Sequence, residues 1–311
     1  MSGTRALKNR IRSTKNIKQM TRAMEAVSAV KMRRSVGIAV QARPYALSTL
    51  HILQEIRKTL GDNGDILPTL LAKRPIKTSA VVVISSDKGL AGSFNTSVFR
   101  EAEKVLKQKL NTSYIIAVGK KARDYFEHRQ MLKKGFVGAG DYGTLSETKP
   151  IAEYILKEFI SGAADEVVII YTNFISALRQ EVISRTLLPL QYETLKQSVS
   201  DIIPERGKYA NVPRFFTEKE EKKNTSEILF EPRGEKLLEK LLPALLEIEV
   251  HNAILEANAS EHSSRMVAMK SASDNAGDLI DTLSILYNKS RQATITKELA
   301  EITGGREALE S

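Results

Sequence analysis

Apolar residues near the start of the chain recur at helical spacing. Leu7, Ile11, Ile17, Met20, Met24, Val27 and Val30 follow one another almost always three or four apart, the period of one apolar stripe on a helix. The spacing breaks between Ile11 and Ile17, where Thr14 fills the stripe position. The pattern predicts a helix over 3–59. Pro44 predicts a kink or local break near Arg43, and Gly61, Asn63, Gly64 and Pro68 predict the stop.

The pattern then changes period. Ala80–Ser85 is a continuous apolar, β-branched run, as in a strand buried on both faces. A glycine loop, DKGLAGSFN from Asp87, follows it, then helical periodicity over Thr96–Leu110. Tyr114–Val118 and Glu166–Thr172 read as further strands, and Leu178–Leu188 as a strand or edge segment. Lys120–His128 and Ser146–Ser161 read as helices, the second capped by Ser146. Strands alternating with helices predict a parallel, Rossmann-like α/β sheet. Residues 191–232 carry no such period and read as a charged, solvated segment.

From Glu235 the helical pattern returns, with Leu238, Leu241, Leu245 and Ile248 in one stripe and Ile280, Leu283, Leu286 and Tyr287 in a later one. Pro243 falls near the start. The stretch from Ala244 to Thr303 is 60 residues with no proline and one glycine, Gly277. As a helix it reaches ~90 Å, longer than a chain of this size can wrap. Gly304-Gly305 predict its end. The parts are thus an N-terminal helix over 1–60, an α/β domain over 76–232 that includes the irregular 191–232, and a C-terminal helix over 235–311. Each long helix needs a partner for its stripe, and an antiparallel two-helix coiled coil satisfies both. The C-terminal helix, being longer, extends past its mate.

Charge sharpens the picture. The net charge is +10, and residues 1–43 account for all of it, with eleven Lys and Arg against one acid, Glu25. Such a helix wants an acidic partner: nucleic acid, an anionic membrane or an acidic protein surface. The chain has no cysteine, which excludes disulfides and thiolate chemistry. Its four histidines, His51, His128, His251 and His262, are too scattered to make a helical metal site. No apolar run is long enough for a transmembrane helix, and the basic N-terminus lacks the apolar segment of a signal peptide.

Little in the sequence carries chemistry. The strand–glycine loop–helix unit invites a phosphate-binding reading, but neither the dinucleotide fingerprint nor the P-loop pattern is present. Gly89 and Gly92 are expected to form a tight turn instead. The basic helix shows no nucleic-acid reading motif. Near the far end of the C-terminal helix, Arg291 and Gln292 sit among Ser290, Ala293, Thr294 and Thr296. Small neighbours let another surface come close to a guanidinium fork and an amide.

Three long segments together resemble one family, the gamma subunits of F-type ATP synthase: RIRSTKNIKQMTRAMEAVSAVKMRR, SSDKGLAGSFN, and SRMVAMKSASDNA continuing to YNKSRQATITKEL. They stand in the family's order and span almost the whole chain. The resemblance implies a central rotor shaft, coiled coil inside the ring of alpha and beta subunits, with the α/β domain against the epsilon subunit and the membrane ring of c subunits. It implies no catalytic residue, cofactor or metal in this chain, no nucleic acid, and membrane association only through the complex, at the cytoplasmic face of a bacterial inner membrane. Arg291, Gln292 and Thr296 fall where the family's C-terminal helix meets acidic loops of beta and alpha. Met24 falls where the N-terminal helix passes beta's acidic lever. Two other classes stay open on the residues alone: a nucleic-acid-binding coiled coil, and a nucleotide-dependent enzyme on the α/β domain.

Overall fold

The computed structural model describes residues 2–60, 70–71, 74–109, 112–139, 144–191 and 234–310. Residues 192–233, which hold nearly all of the irregular charged segment, lie outside them. The described elements run α1 (Ser2–Leu60), β1 (Thr78–Ile84), α2 (Phe94–Gln108), β2 (Thr112–Val118), α3 (Lys120–Glu127), β3 (Leu132–Phe136), α4 (Leu145–Ile160), β4 (Glu166–Ser176), β5 (Arg179–Leu188) and α5 (Gly234–Glu310). They form two compact units: Met1–Ser28 with Arg265–Ser311, and Ala29–Ser264.

The larger unit holds a five-stranded sheet in the order β3-β2-β1-β4-β5. β1 pairs in parallel with β2 and β4, β2 in parallel with β3, and β5 antiparallel with β4. The central strand is the one its sequence announces: Ala80, Val81, Val82 and Val83 are wholly buried. Val81, Val83 and Ile115 pack against α2 and α3 residues such as Val98, Phe99 and Phe126 on one face. Val82, Ile84 and Ile116 pack against Ile155 and Phe159 of α4 and Leu242 and Leu246 of α5 on the other. In the same unit, Val36 and Val40 of α1 cluster with Ala259 of α5, and Ala39 with Leu255.

Two polar clusters tie the layers together. The Glu158 carboxylate accepts from Tyr114 Oη at 2.6 Å and Lys133 Nζ at 2.6 Å. Burial raises the pKa of this carboxyl, but the bonds from Lys133, Tyr114 and Tyr154 outweigh it and hold it below the usual range. Near the same amino-terminal end of the parallel strands, Lys109 pairs with Glu166, which also accepts from Ser79 Oγ.

His251 of α5 meets α4 through Thr148, with Nδ1 and Oγ1 3.1 Å apart. Burial pushes its pKa below the ordinary histidine value, so the folded ring resists a proton that the unfolded chain takes up below pH ~6.5. Its stabilising contribution is present above that pH and lost as pH falls through it. His251→Gln is expected to flatten the loss of thermal stability between neutral and mildly acid pH, measured by melting curves. A slope unchanged in the variant removes His251 as its source.

Several elements depart from the sequence expectation. β3 was not foreseen: LKKGF is short, carries two lysines and forms a sheet edge, where charge blunts pairing with other chains. The cap of α4 is Thr144, not Ser146. The Glu147 carboxylate takes both the Thr144 N–H and its hydroxyl at 2.8 Å. α1 runs through Pro44 without a break, and α5 runs through Pro243 and through Gly304-Gly305 to Glu310. A glycine inside a helix costs only ~1 kcal/mol relative to alanine, so two in succession weaken α5 without ending it.

The smaller unit is a two-helix coil, and it corrects the predicted seam. On α1 the seam positions Thr4, Leu7, Ile11, Thr14, Lys18, Thr21, Glu25 and Ser28 are all buried or half-buried and spaced three and four in strict alternation, with Met24 half-buried beside Glu25. On α5 they include Met269, Ser273, Ala276, Ile280, Leu283, Tyr287, Ser290 and Thr294, spaced in the same way. That is the heptad of a left-handed coiled coil. The helices are antiparallel: Lys18 lies against Gly277, the α1 seam begins at Thr4, and the α5 seam runs out at Thr294. Every residue from Ile295 to Thr303 is exposed. Of the stripe expected to form the α1 seam, Leu7, Ile11 and Thr14 lie in it and Met24 is half-buried, whereas Ile17, Met20, Val27 and Val30 face outward, between 51% and 64% exposed. Hydroxyls take their place inside: Thr14, Thr21 and Ser28 are buried and donate to the carbonyls of Arg10, Ile17 and Met24 in their own helix.

Candidate functional surface

Two places invite a functional reading, the carboxyl end of the parallel sheet and the outer face of the coil. The first is where ligands bind in open α/β folds. Here the first turn of α3 has its amides already taken. Lys120 N donates to Asp87 Oδ1 at 2.8 Å, Lys121 N to the Ser86 carbonyl at 3.0 Å, and Ala122 N to Ser85 Oγ at 2.8 Å. The second Asp87 oxygen accepts from Gly138 N at 3.1 Å. An internal carboxylate therefore occupies the position a phosphate would want. The adjoining cavity, about 170 Å3, is lined by Asp87, Lys88 and Glu261 among others.

The glycine loop is a turn, as expected, though a different glycine carries the constraint. Gly92 adopts φ 56° and Leu90 φ 64°, while Gly89 is not among the positive-φ residues. Gly119, between β2 and α3, has φ 96°, and a Cβ there would sit 2.2 Å from the Ser85 carbonyl oxygen. Gly119→Ala is expected to destabilise the chain by ~2 kcal/mol or more, through strain and overlap together. A drop in melting temperature checks it; parent-like melting would contradict the geometry.

The outer face of the coil differs in kind. Arg5, Lys8, Arg10, Arg12, Lys15 and Arg22 are exposed on α1. Among the described residues none of these six forms an ion pair. Unpaired cations thus border an exposed apolar stripe of Ile17, Met20, Val27 and Val30. Met24 lies between these residues and is half-buried, and its carbonyl accepts from Ser28 Oγ at 2.7 Å. On α5, Arg291, Gln292 and Thr296 are all exposed. Thr296 Oγ1 donates to the Gln292 carbonyl at 3.0 Å, which leaves the Arg291 and Gln292 side chains presented outward. The Lys18–Gly277 contact puts Met24 level with about residue 271, so Met24 and Arg291 stand ~30 Å apart along the coil. They are two stations on one surface, not one site. Ile295, Leu299 and Ile302 continue it as a second exposed apolar stripe, 48%, 60% and 70% exposed. The sequence reading missed this stripe, although its spacing of four and three was visible.

A long coil with exposed apolar and basic outer faces is the architecture of a subunit that works by contact. Among the described residues no group of three or more His, Asp or Glu is placed to hold a metal, and no helix is long and apolar enough to cross a membrane. The family model described as ATP synthase matches residues 3–309. The ATP synthase gamma chain of Rippkaea orientalis is 38% identical over 99% of this chain and 100% of its own length. That of Roseiflexus castenholzii is 39% identical over 99% of each. The chain belongs to the ATP synthase gamma chain family. Among solved structures, a chain of the Euglena gracilis mitochondrial ATP synthase, in its OSCP, F1 and c-ring assembly, matches with TM-score 0.64 at 21% identity, covering 99% of this chain and 95% of that one. A chain of the Tetrahymena thermophila mitochondrial ATP synthase central stalk and c-ring matches with TM-score 0.56 at 23% identity, covering 82% and 99%. These likenesses establish the fold.

Proposed function

We propose that this chain is the central rotor shaft of a proton-translocating ATP synthase. It turns with the c ring and biases the beta subunits in turn through open, loose and tight forms. A shaft shifts such an equilibrium only through contacts that differ between the forms, and a coil whose faces differ around its circumference supplies them. The observation that carries the reading is the outer face of α1, an exposed apolar stripe bordered by unpaired cations, in a chain of this family. Its complement is an apolar, acidic sleeve, formed by the alpha and beta subunits. Met24, Arg291, Gln292 and Thr296 are the contact residues within it.

In functional terms the division is 1–60 and 235–311 as shaft and 76–232 as foot, the foot meeting the epsilon subunit and the c ring. The chain has no catalytic role of its own, and catalysis belongs to the beta subunits. It associates with the membrane through its partners, at the cytoplasmic face of a bacterial inner membrane, as suits its bacterial relatives. Affinity capture of the tagged chain from its source membranes tests this. Alpha, beta, epsilon and c subunits are expected to co-elute. Capture of nucleic acid alone, with a steep salt dependence, would sink the reading.

A further inference from the structure

The seam of the smaller unit holds few features that fix which turn of α1 meets which turn of α5. Thr14, Thr21 and Ser28 are interchangeable at heptad spacing, and their hydroxyls are satisfied within their own helix. They make no bond across the seam that a slip by one heptad would break. Apolar knobs, which normally set register, are few on α1 in this unit: Leu7 and Ile11 near its start and the half-buried Met24 beside Glu25.

One contact is different. Lys18 stands at a seam position and is half-buried. Its Nζ lies where a Cβ on Gly277 would be only 2.8 Å away, with Cε at 3.6 Å. Gly277 is the one glycine between Ala244 and Thr303. The lysine thus lies across a notch in the α5 surface that an absent side chain opens. A slip of one heptad would bring Lys18 against Lys270 in one direction and Ser284 in the other. The first sets two ammonium groups together and the second offers no notch. Lysine at a single seam position is a known way to specify register at some expense of stability.

We propose that Lys18 and Gly277 form the register pin of the coil. Torque on a two-helix shaft shears one helix along the other, and a seam of self-satisfied hydroxyls resists that shear poorly. The pin blocks the shear at the level where the outer apolar stripe begins, at Ile17. This role rests on the shaft reading, but its test reads register in the chain itself, so the two fail separately.

The chain has no cysteine, so spin labels can be placed cleanly at Ala23 and Asn288, both exposed and offset by ~24 Å along the coil. Distances are measured by pulsed electron double resonance on the full chain. The parent is expected to give one narrow distribution, and Lys18→Arg, which keeps a long cationic arm, to give the same. Lys18→Ala is expected to add a population displaced by one heptad, ~10 Å. Gly277→Leu, which fills the notch, is expected to do likewise. Alanine is the strongest helix former, so Lys18→Ala tests register without threatening the helix, and circular dichroism verifies that. If both Lys18→Ala and Gly277→Leu reproduce the parent distribution, the pin does not exist.

Discussion

Replacing Ile17, Met20, Val27 and Val30 together by glutamine is expected to leave the chain folded and to abolish its incorporation into the complex. All four already face outward, more than half exposed, and glutamine is at least as good a helix former as the residues it replaces. Melting of the free chain should therefore hardly move. In the proposed sleeve the same residues would lose their water, and full burial of each is worth ~1.5–3 kcal/mol. Allowing for incomplete burial and non-additivity, the loss is at least ~4 kcal/mol, on the order of a thousand-fold in affinity. Assembly with alpha and beta subunits, followed by gel filtration, gives the result. Normal assembly of the quadruple variant would mean that the stripe touches nothing.

The second large effect belongs to Arg291. It is exposed on α5 and projects near the outer end of the coil. On the proposed reading it would be held against a carboxylate in a partly dry sleeve, in a charge-assisted bond. Truncating one partner of such a pair costs ~2–5 kcal/mol, much of it from the orphaned carboxylate. Arg291→Ala is therefore expected to lower ATP hydrolysis and ATP-driven proton pumping in the assembled complex, while the free chain melts as before. Arg291→Lys should recover part of the loss, because lysine lacks the planar fork. Parent-like values in assembly, hydrolysis and pumping for Arg291→Ala would make this contact a bystander and leave the shaft to act through shape.

The two effects separate by mechanism. The stripe contributes through area removed from water and should be insensitive to salt. The arginine contributes through charge, and what remains exposed of that contact should weaken as ionic strength rises. A salt series on both variants distinguishes the contributions.

The parts of the fold most legible in the sequence are those where one residue pattern admits one environment. The run from Ala80 to Val83 is β-branched and apolar throughout, and its environment is a central parallel strand. The 60-residue stretch without proline is one helix. Legibility fails where two environments ask for the same residues. Ile17, Met20, Val27 and Val30 have the spacing of a coiled-coil seam, and the same spacing suits any apolar surface awaiting a partner. Only burial tells the two apart. The true seam is spelled Thr14, Lys18, Thr21, Glu25 and Ser28, which no hydrophobic template recovers, although its heptad spacing is regular. β3 was hidden because an edge strand needs neither alternation nor β-branching, and Lys133 and Lys134 look like loop. Thr144 was missed as a cap because Ser146 lies two residues on and is equally suited by type; the choice falls to Glu147, three residues after Thr144, which closes the capping box.

The phosphate question shows the same division. The absent fingerprint argues against a nucleotide at the sheet end, but the reason is structural. Asp87 takes the amides of Lys120 and Gly138, and a carboxylate that far from α3 in sequence is not a motif. Equilibrium dialysis of the free chain with ATP or NAD should detect no binding there.

The central claim is that this chain rotates within its complex, and rotation can be watched. A single cysteine replaces Lys107, exposed in the last turn of α2, in a chain that has none of its own. A bead attached there, with the alpha and beta subunits fixed to a surface, reports the motion of the shaft during ATP hydrolysis. The account predicts continuous turning in one direction that stops when ATP is removed. Sustained hydrolysis with the bead stationary, in complexes shown to contain the labelled chain, would contradict it.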